Sequence, residues 1–300
     1  MATKQRSRQR RPNSSRDRSP RYVAPVLDPT WQNPYAPSTA ERNANLHAVS
    51  KLARRKNLPK TILAVIITAG LLAGFVISPF IAIGAPVVVA LYVVDFRRSV
   101  KKFSQSGNSF GTVLLDVFKA GGTAKDRQRL VTVLDRLAAT FGVDSVSAFI
   151  VDDEGYNATL VPNGSSFALF ITSALMRDFE LIELEGVVAH CLARQRLALL
   201  QRQSVASLAS LSADDRKSLA GAGAAYRADE VAAAAIRYPL GLAGALRKCS
   251  RQVVPSGSYF LTPQYDQGRW VWFDIWSDRK DSNLSDLDDV ELRALALEEW

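Results

Sequence analysis

The longest apolar run in the chain lies between Lys60 and Asp95, where 34 residues pass without a charge. One straight helix of that length would extend about 50 Å, against a hydrocarbon core of about 30 Å. Ser78-Pro79 stands near the midpoint and supplies a breaker. The run therefore predicts two short helical arms over residues 61–77 and 80–94. Lys51, Arg54, Arg55, Lys56 and Lys60 precede it, and Arg97, Arg98, Lys101 and Lys102 follow it. Basic flanks at both ends place both on the cytoplasmic side. The expectation is a two-pass hairpin over 61–95 in the cell membrane, with both termini and the folded domain in the cytoplasm.

Beyond the hairpin the pattern alternates between helical and extended periods. Leu130, Val131, Leu134, Leu137, Ala138 and Phe141 recur at helical spacing, with Thr123 placed to cap the start and Gly142 to stop the end. Residues 147–151 read as a strand. Residues 158–161 and 167–171 flank Pro162-Asn163-Gly164-Ser165, a hairpin signal. These strands predict a small antiparallel sheet. Asp178 is placed to cap a long helix over 179–200, with Leu181, Leu184, Val188, Cys191 and Leu192 on one face. A polar stretch over 204–217 leads to helices over 224–237 and on to about Cys249. Residues 270–276, with Trp270, Trp272 and Trp276 at alternate or near-alternate positions, read as a strand packed mainly into the core, and 287–299 as a final acidic helix.

Composition narrows the function. The net charge of +9 divides unevenly: residues 1–60 hold 14 Lys and Arg against 3 Asp and Glu, and the remainder holds 24 against 26. The basic character belongs to an N-terminal tail, rich in Arg, Ser, Gln and Pro, which predicts disorder over 1–60. The body carries no strong field for a polyanion, so no specific nucleic-acid partner is expected. Two cysteines exclude a disulfide framework. The acidic trio Asp152, Asp153 and Glu154 reads as a solvated turn at a strand end.

Only two histidines occur, His47 in the tail and His190 in the long helix, so no chemistry needing two imidazoles in the body fits. Around His190 the chain reads Glu183-Leu184-Glu185-Gly186-Val187-Val188-Ala189-His190-Cys191-Leu192-Ala193-Arg194. In an H-E-x-x-H helix, two histidines four apart share a face and bind zinc, and the intervening glutamate activates the metal-bound water. Here those positions hold His190, Cys191 and Arg194.

With Val151-Asp152-Asp153-Glu154-Gly155-Tyr156-Asn157-Ala158, Phe170-Ile171-Thr172-Ser173-Ala174-Leu175-Met176 and Ala228-Asp229 around it, this segment resembles the HtpX-like and CAAX-prenyl-protease membrane zinc metallopeptidases. The resemblance covers roughly residues 124–248. It implies an α+β, mostly helical, zincin-like domain over 96–250, preceded by the membrane hairpin; the strand and helix read from the pattern make 251–300 an extension packed on the same domain. It also implies where the chemistry stood: the first zinc histidine on His190, the general base on Cys191, the second histidine on Arg194, and the third ligand on Ala225, four residues before Asp229. A catalytic zinc needs about three protein ligands, and this frame retains one.

The expectation is a member without zinc or any other cofactor and without catalytic residues. The guanidinium of Arg194 is expected to take the metal position and pair with Asp229. The leading function is then a pseudopeptidase scaffold that holds a protein or peptide partner at the membrane, with residues 167–171 as the strand edge that receives it. Two other readings stand beside it. One is an active zinc metalloendopeptidase using Cys191, Asp229 or Glu230; the other is a tethered binder of anionic lipid or nucleic acid through the basic tail.

Overall fold

The computed structural model describes residues 35–74, 84–208, 210–275 and 289–300, and residues 35–300 belong to one unit. The architecture is mostly helical with one three-stranded sheet. The expectations for residues 1–34 and for Ser78-Pro79 lie outside the described residues.

Disorder was expected as far as residue 60, but helix α1 spans Thr39–Lys56. Ser38 caps it by accepting from the Glu41 amide. Its stability is tertiary: Val49, Leu52 and Ala53 are buried, Asn45 donates to the Leu197 carbonyl at 2.8 Å, and Glu41 pairs with Arg227 at 3.0 Å. Few apolar residues suffice because the helix needs only a narrow contact stripe.

Helix α2 (Leu58–Ala73) and helix α3 (Gly84–Gln105) run antiparallel. Asn57 meets Ser99, Lys60 pairs with Asp95 at 3.7 Å, the hydroxyls of Thr61 and Tyr92 are hydrogen-bonded, and Gly84 lies against Leu71. No residue of α2 is buried, and Ile62, Leu63, Val65, Ile66, Ile67, Val87, Val89, Leu91 and Val94 are all exposed. Among the described residues no single helix is long and apolar enough to cross a membrane; α1 and α2 together pass that test, bent by 48°. Helix α3 continues past Val94 through the basic cluster to Gln105.

Helix α4 (Phe110–Val117) leads to α5 (Ala124–Phe141), which begins and ends where its pattern predicts. Thr123 and Asp126 form a reciprocal capping box, and Gly142 closes the helix at φ 62°, a conformation that favours glycine. The sheet holds β1 (Val146–Val151), β2 (Ala158–Asn163) and β3 (Ser166–Thr172) in the order β1-β3-β2. β2 and β3 form the expected hairpin, with Gly164 at φ 65° in its turn. The sheet is mixed, however, because β1 pairs parallel to β3. β3 is therefore central, and residues 167–171 offer no free edge.

The sheet separates two cores by strand alternation. Ile150, Ala158, Leu160, Leu169 and Ile171 face the helices, while Val151, Val161, Ala168 and Phe170 face an aromatic layer of Phe110, Phe260, Tyr265 and Trp272. Trp270 and Trp272 are buried as expected, but residues 269–271 form a 3-10 turn instead of a strand, and Trp276 lies outside the described residues.

After β3 come α6 (Ser173–Asp178) and the long helix α7 (Leu181–Arg196). Asp178 ends α6; Glu180 caps α7 through a box with Glu183. The stretch expected to be polar coil carries α8 (Leu200–Leu208) and α9 (Ala213–Ala220). Helices α10 (Ala224–Ala233), α11 (Pro239–Arg251), α12 (Pro263–Gly268) and α13 (Val290–Glu298) complete the fold. Helices α7 and α11 approach so closely that a Cβ on Gly186 would stand 2.7 Å from the Leu242 backbone.

Candidate functional site

Helix α7 runs through the interior, and from Leu184 to Arg194 every residue except the half-buried Glu185 is buried. His190 is 1% exposed. Its Nδ1 donates to Asp229 Oδ1 at 2.6 Å, and its ring meets Phe273 edge to face at 5.1 Å between centroids. Asp229 comes from α10, as the spacing from Ala225 expects, and it is also buried.

The charge that answers Asp229 was not foreseen. Arg293, on α13, is 0% exposed and grips the carboxylate as a fork, Nε to Oδ2 at 2.6 Å and Nη2 to Oδ1 at 3.1 Å. Its Nη1 donates to the Phe273 carbonyl at 3.2 Å. The signal in the sequence was a lone cation on an apolar stripe: Val290, Ala294 and Leu297 lie at helical spacing, and Arg293 shares their buried face.

Arg194 is buried, as expected, but it does not pair with Asp229. Its Nε donates to Gln203 Oε1 at 2.9 Å, its Nη2 donates to the same oxygen, and its Nη1 donates to the Val271 carbonyl. The physical reason is occupancy and charge. Arg293 and His190 already fill the Asp229 oxygens, and a second guanidinium there would leave a net positive charge without water. Neutral dipoles solvate Arg194 instead, and burial draws its pKa down to about 10.

Burial, opposed by the Asp229 charge and reinforced by Arg293 and Arg194, pushes the His190 pKa down to about 4. The ring is thus neutral at pH 7, which fits the count of charges, because Arg293 already neutralises Asp229. Asp229 stays ionised: burial opposes its charge, but Arg293 and His190 outweigh that and hold its carboxyl below the ordinary value.

The other positions are equally unsuited to ligation. Burial pushes the Cys191 thiol up to about 12, so it is protonated at neutral pH. Ala225 sits in an apolar cluster with Val49, Leu52, Val205, Leu219 and Trp270, under α1. Glu230 is held by Arg227 at 2.9 Å. Among the described residues no group of three His, Cys, Asp or Glu is arranged to hold a metal. The residues present do not fit a zinc ion: His190 offers one imidazole nitrogen, and the other positions of the frame hold a protonated thiol, a guanidinium and an alanine, short of the three ligands a catalytic zinc needs.

The acidic trio divides. Asp152 and Glu154 are exposed, but Asp153 is buried and accepts from Ser258 Oγ at 2.7 Å, the Tyr259 amide at 2.8 Å and the Gly155 amide at 2.7 Å. It pins the segment after α11 to the end of β1, which is a structural task.

Neither a family model nor a curated protein matches this chain. Function therefore rests on the residues themselves.

Proposed function

We propose that the chain is a membrane-anchored, non-catalytic relative of the HtpX-like and CAAX-prenyl-protease metallopeptidases, which acts as a binding or regulatory scaffold. One observation carries the reading: where the resemblance expects the general base and two further zinc ligands, the chain holds a protonated Cys191, a buried Arg194 bonded to Gln203 and an Ala225 in an apolar cluster, which leaves His190 as the one imidazole. The buried Asp229 carboxylate needs a positive partner, and the Arg293 guanidinium meets that need.

The antiparallel α2 and α3, uncharged over residues 61–73 and 84–94 and basic at their shared base, support a hairpin that enters the membrane from the cytoplasmic face. A peptide partner fits the outer edge of β1 better than β3. Residues 146–149 are half-buried or exposed, and the extra-sheet bonds begin only at Ile150, whose carbonyl accepts from Gly121.

Incubation of the purified full chain with an unfolded casein substrate tests the loss of catalysis. No cleavage is expected, with or without added zinc. Cleavage that a chelator abolishes would favour the active-enzyme reading.

A further inference from the structure

The base of the α2–α3 hairpin carries more positive charge than the fold neutralises. Lys60 pairs with Asp95 at 3.7 Å and Lys56 with Asp215 at 3.4 Å. Arg54, Arg55, Arg97, Arg98, Lys101 and Lys102 are all exposed, and no ion pair reaches them among the described residues. Arg98, Lys101 and Lys102 line one shallow surface cavity on α3, together with Gln105 and Ser106. The hydrogen bond between Asn57 and Ser99 sets the last turn of α1, with Arg54 and Arg55, at the height of this cavity.

The spacing along α3 matches a lipid monolayer. At 1.5 Å per residue, Arg98 lies about 6 Å and Lys101 and Lys102 about 11 Å beyond Val94, the last residue of the apolar run. The headgroup layer on one side of a bilayer is about 5–8 Å thick. With Val94 at the edge of the hydrocarbon, these cations stand at and just beyond the phosphates.

We propose that this collar, centred on Arg98, Lys101 and Lys102, is a binding surface for the headgroups of anionic phospholipids, while the acyl chains lie against the apolar arms. The inference rests on the membrane reading above. It moves anionic-lipid recognition from the N-terminal tail to the folded unit.

Native mass spectrometry of the full chain in detergent, titrated with phosphatidylglycerol or phosphatidylcholine, tests it. The wild type should retain phosphatidylglycerol about tenfold more strongly. A chain lacking residues 1–34 should keep that preference, and R98Q/K101Q/K102Q should lose it. Equal retention of both lipids by the wild type would overturn the proposal. So would a preference that survives in the triple variant but disappears without the tail, or one that millimolar inorganic phosphate abolishes. Alkaline carbonate extraction separates the two levels: a wild type retained in the pellet upholds the membrane reading even if no lipid preference is found. Its release would overturn that reading and this proposal together.

Discussion

Arg293 and Asp229 meet as a buried fork across 64 residues of chain, with Nε 2.6 Å from Oδ2 and Nη2 3.1 Å from Oδ1. Through this pair the C-terminal helix α13 is locked to α10, and through the shared Oδ1 it also fixes the His190 ring on α7. One carboxylate thereby joins three helices that are distant in sequence.

Removing the cation should leave an uncompensated buried charge, so Arg293→Ala is expected to cost about 3–5 kcal/mol of stability. Arg293→Lys keeps the charge but loses the fork, and its cost should be smaller. Urea denaturation midpoints rank the three proteins. An Arg293→Ala midpoint equal to that of the wild type would mean that α13 is not held in this way.

Stability should fall with acid in a defined window. The native His190 pKa lies near 4 against an ordinary 6.5, so the unfolded chain takes up a proton as pH falls through 6.5 and the native chain does not until about 4. The stabilisation is complete above 6.5 and is lost on descent to about 4, on the order of 3 kcal/mol. Asp229, whose carboxyl lies below its ordinary value, extends the loss to lower pH. Denaturation between pH 7 and 4 should show this slope, and His190→Gln should flatten it. An unchanged slope in the variant would assign the effect to other groups.

Gly186 is the contact point of α7 and α11. A methyl group there would stand 2.7 Å from the Leu242 Cα and 2.8 Å from its amide nitrogen, and backbone cannot swing aside as a flexible side chain can. Gly186→Ala should lower stability by about 1–3 kcal/mol through overpacking, despite alanine's better helix propensity. Thermal unfolding checks the sign; a stabilised variant would mean that the helices separate readily.

A carboxylate placed at Ala225, where the resemblance puts a third zinc ligand, should not create a metal site. Ala225→Glu places a charge among Val49, Leu52 and Trp270, where nothing in the apolar cluster pairs with it. A fall in the unfolding midpoint that added zinc does not reverse is expected. Zinc-dependent recovery would show that the helices can still assemble around an ion.

Local signals in the sequence were readable where local physics governs them. Thr123, Asp126 and Gly142 mark both ends of α5, and Gly164 marks the β2–β3 turn, because caps and turns are satisfied within a few residues. Long-range pairing was not readable. The parallel partnership of β1 with β3 depends on how the hairpin docks, and strand alternation is the same for either neighbour. The candidate site divides along the same line. The resemblance put His190 and Asp229 at one site but paired Asp229 with Arg194, whereas the charged partner of Asp229 came from α13 and the partners of Arg194 from α8 and the segment at Val271. Helix α1 went unpredicted because its burial comes from neighbours more than a hundred residues away, such as Leu197 and Arg227.

The most direct test of the central claim is the zinc content of the full chain, purified without chelators and measured by plasma mass spectrometry, with unfolding followed before and after EDTA. A site left with one imidazole and an Asp229 already neutralised by Arg293 predicts background zinc and an unfolding midpoint that EDTA leaves unchanged. Stoichiometric zinc, lost on His190→Gln and accompanied by destabilisation in EDTA, would contradict it.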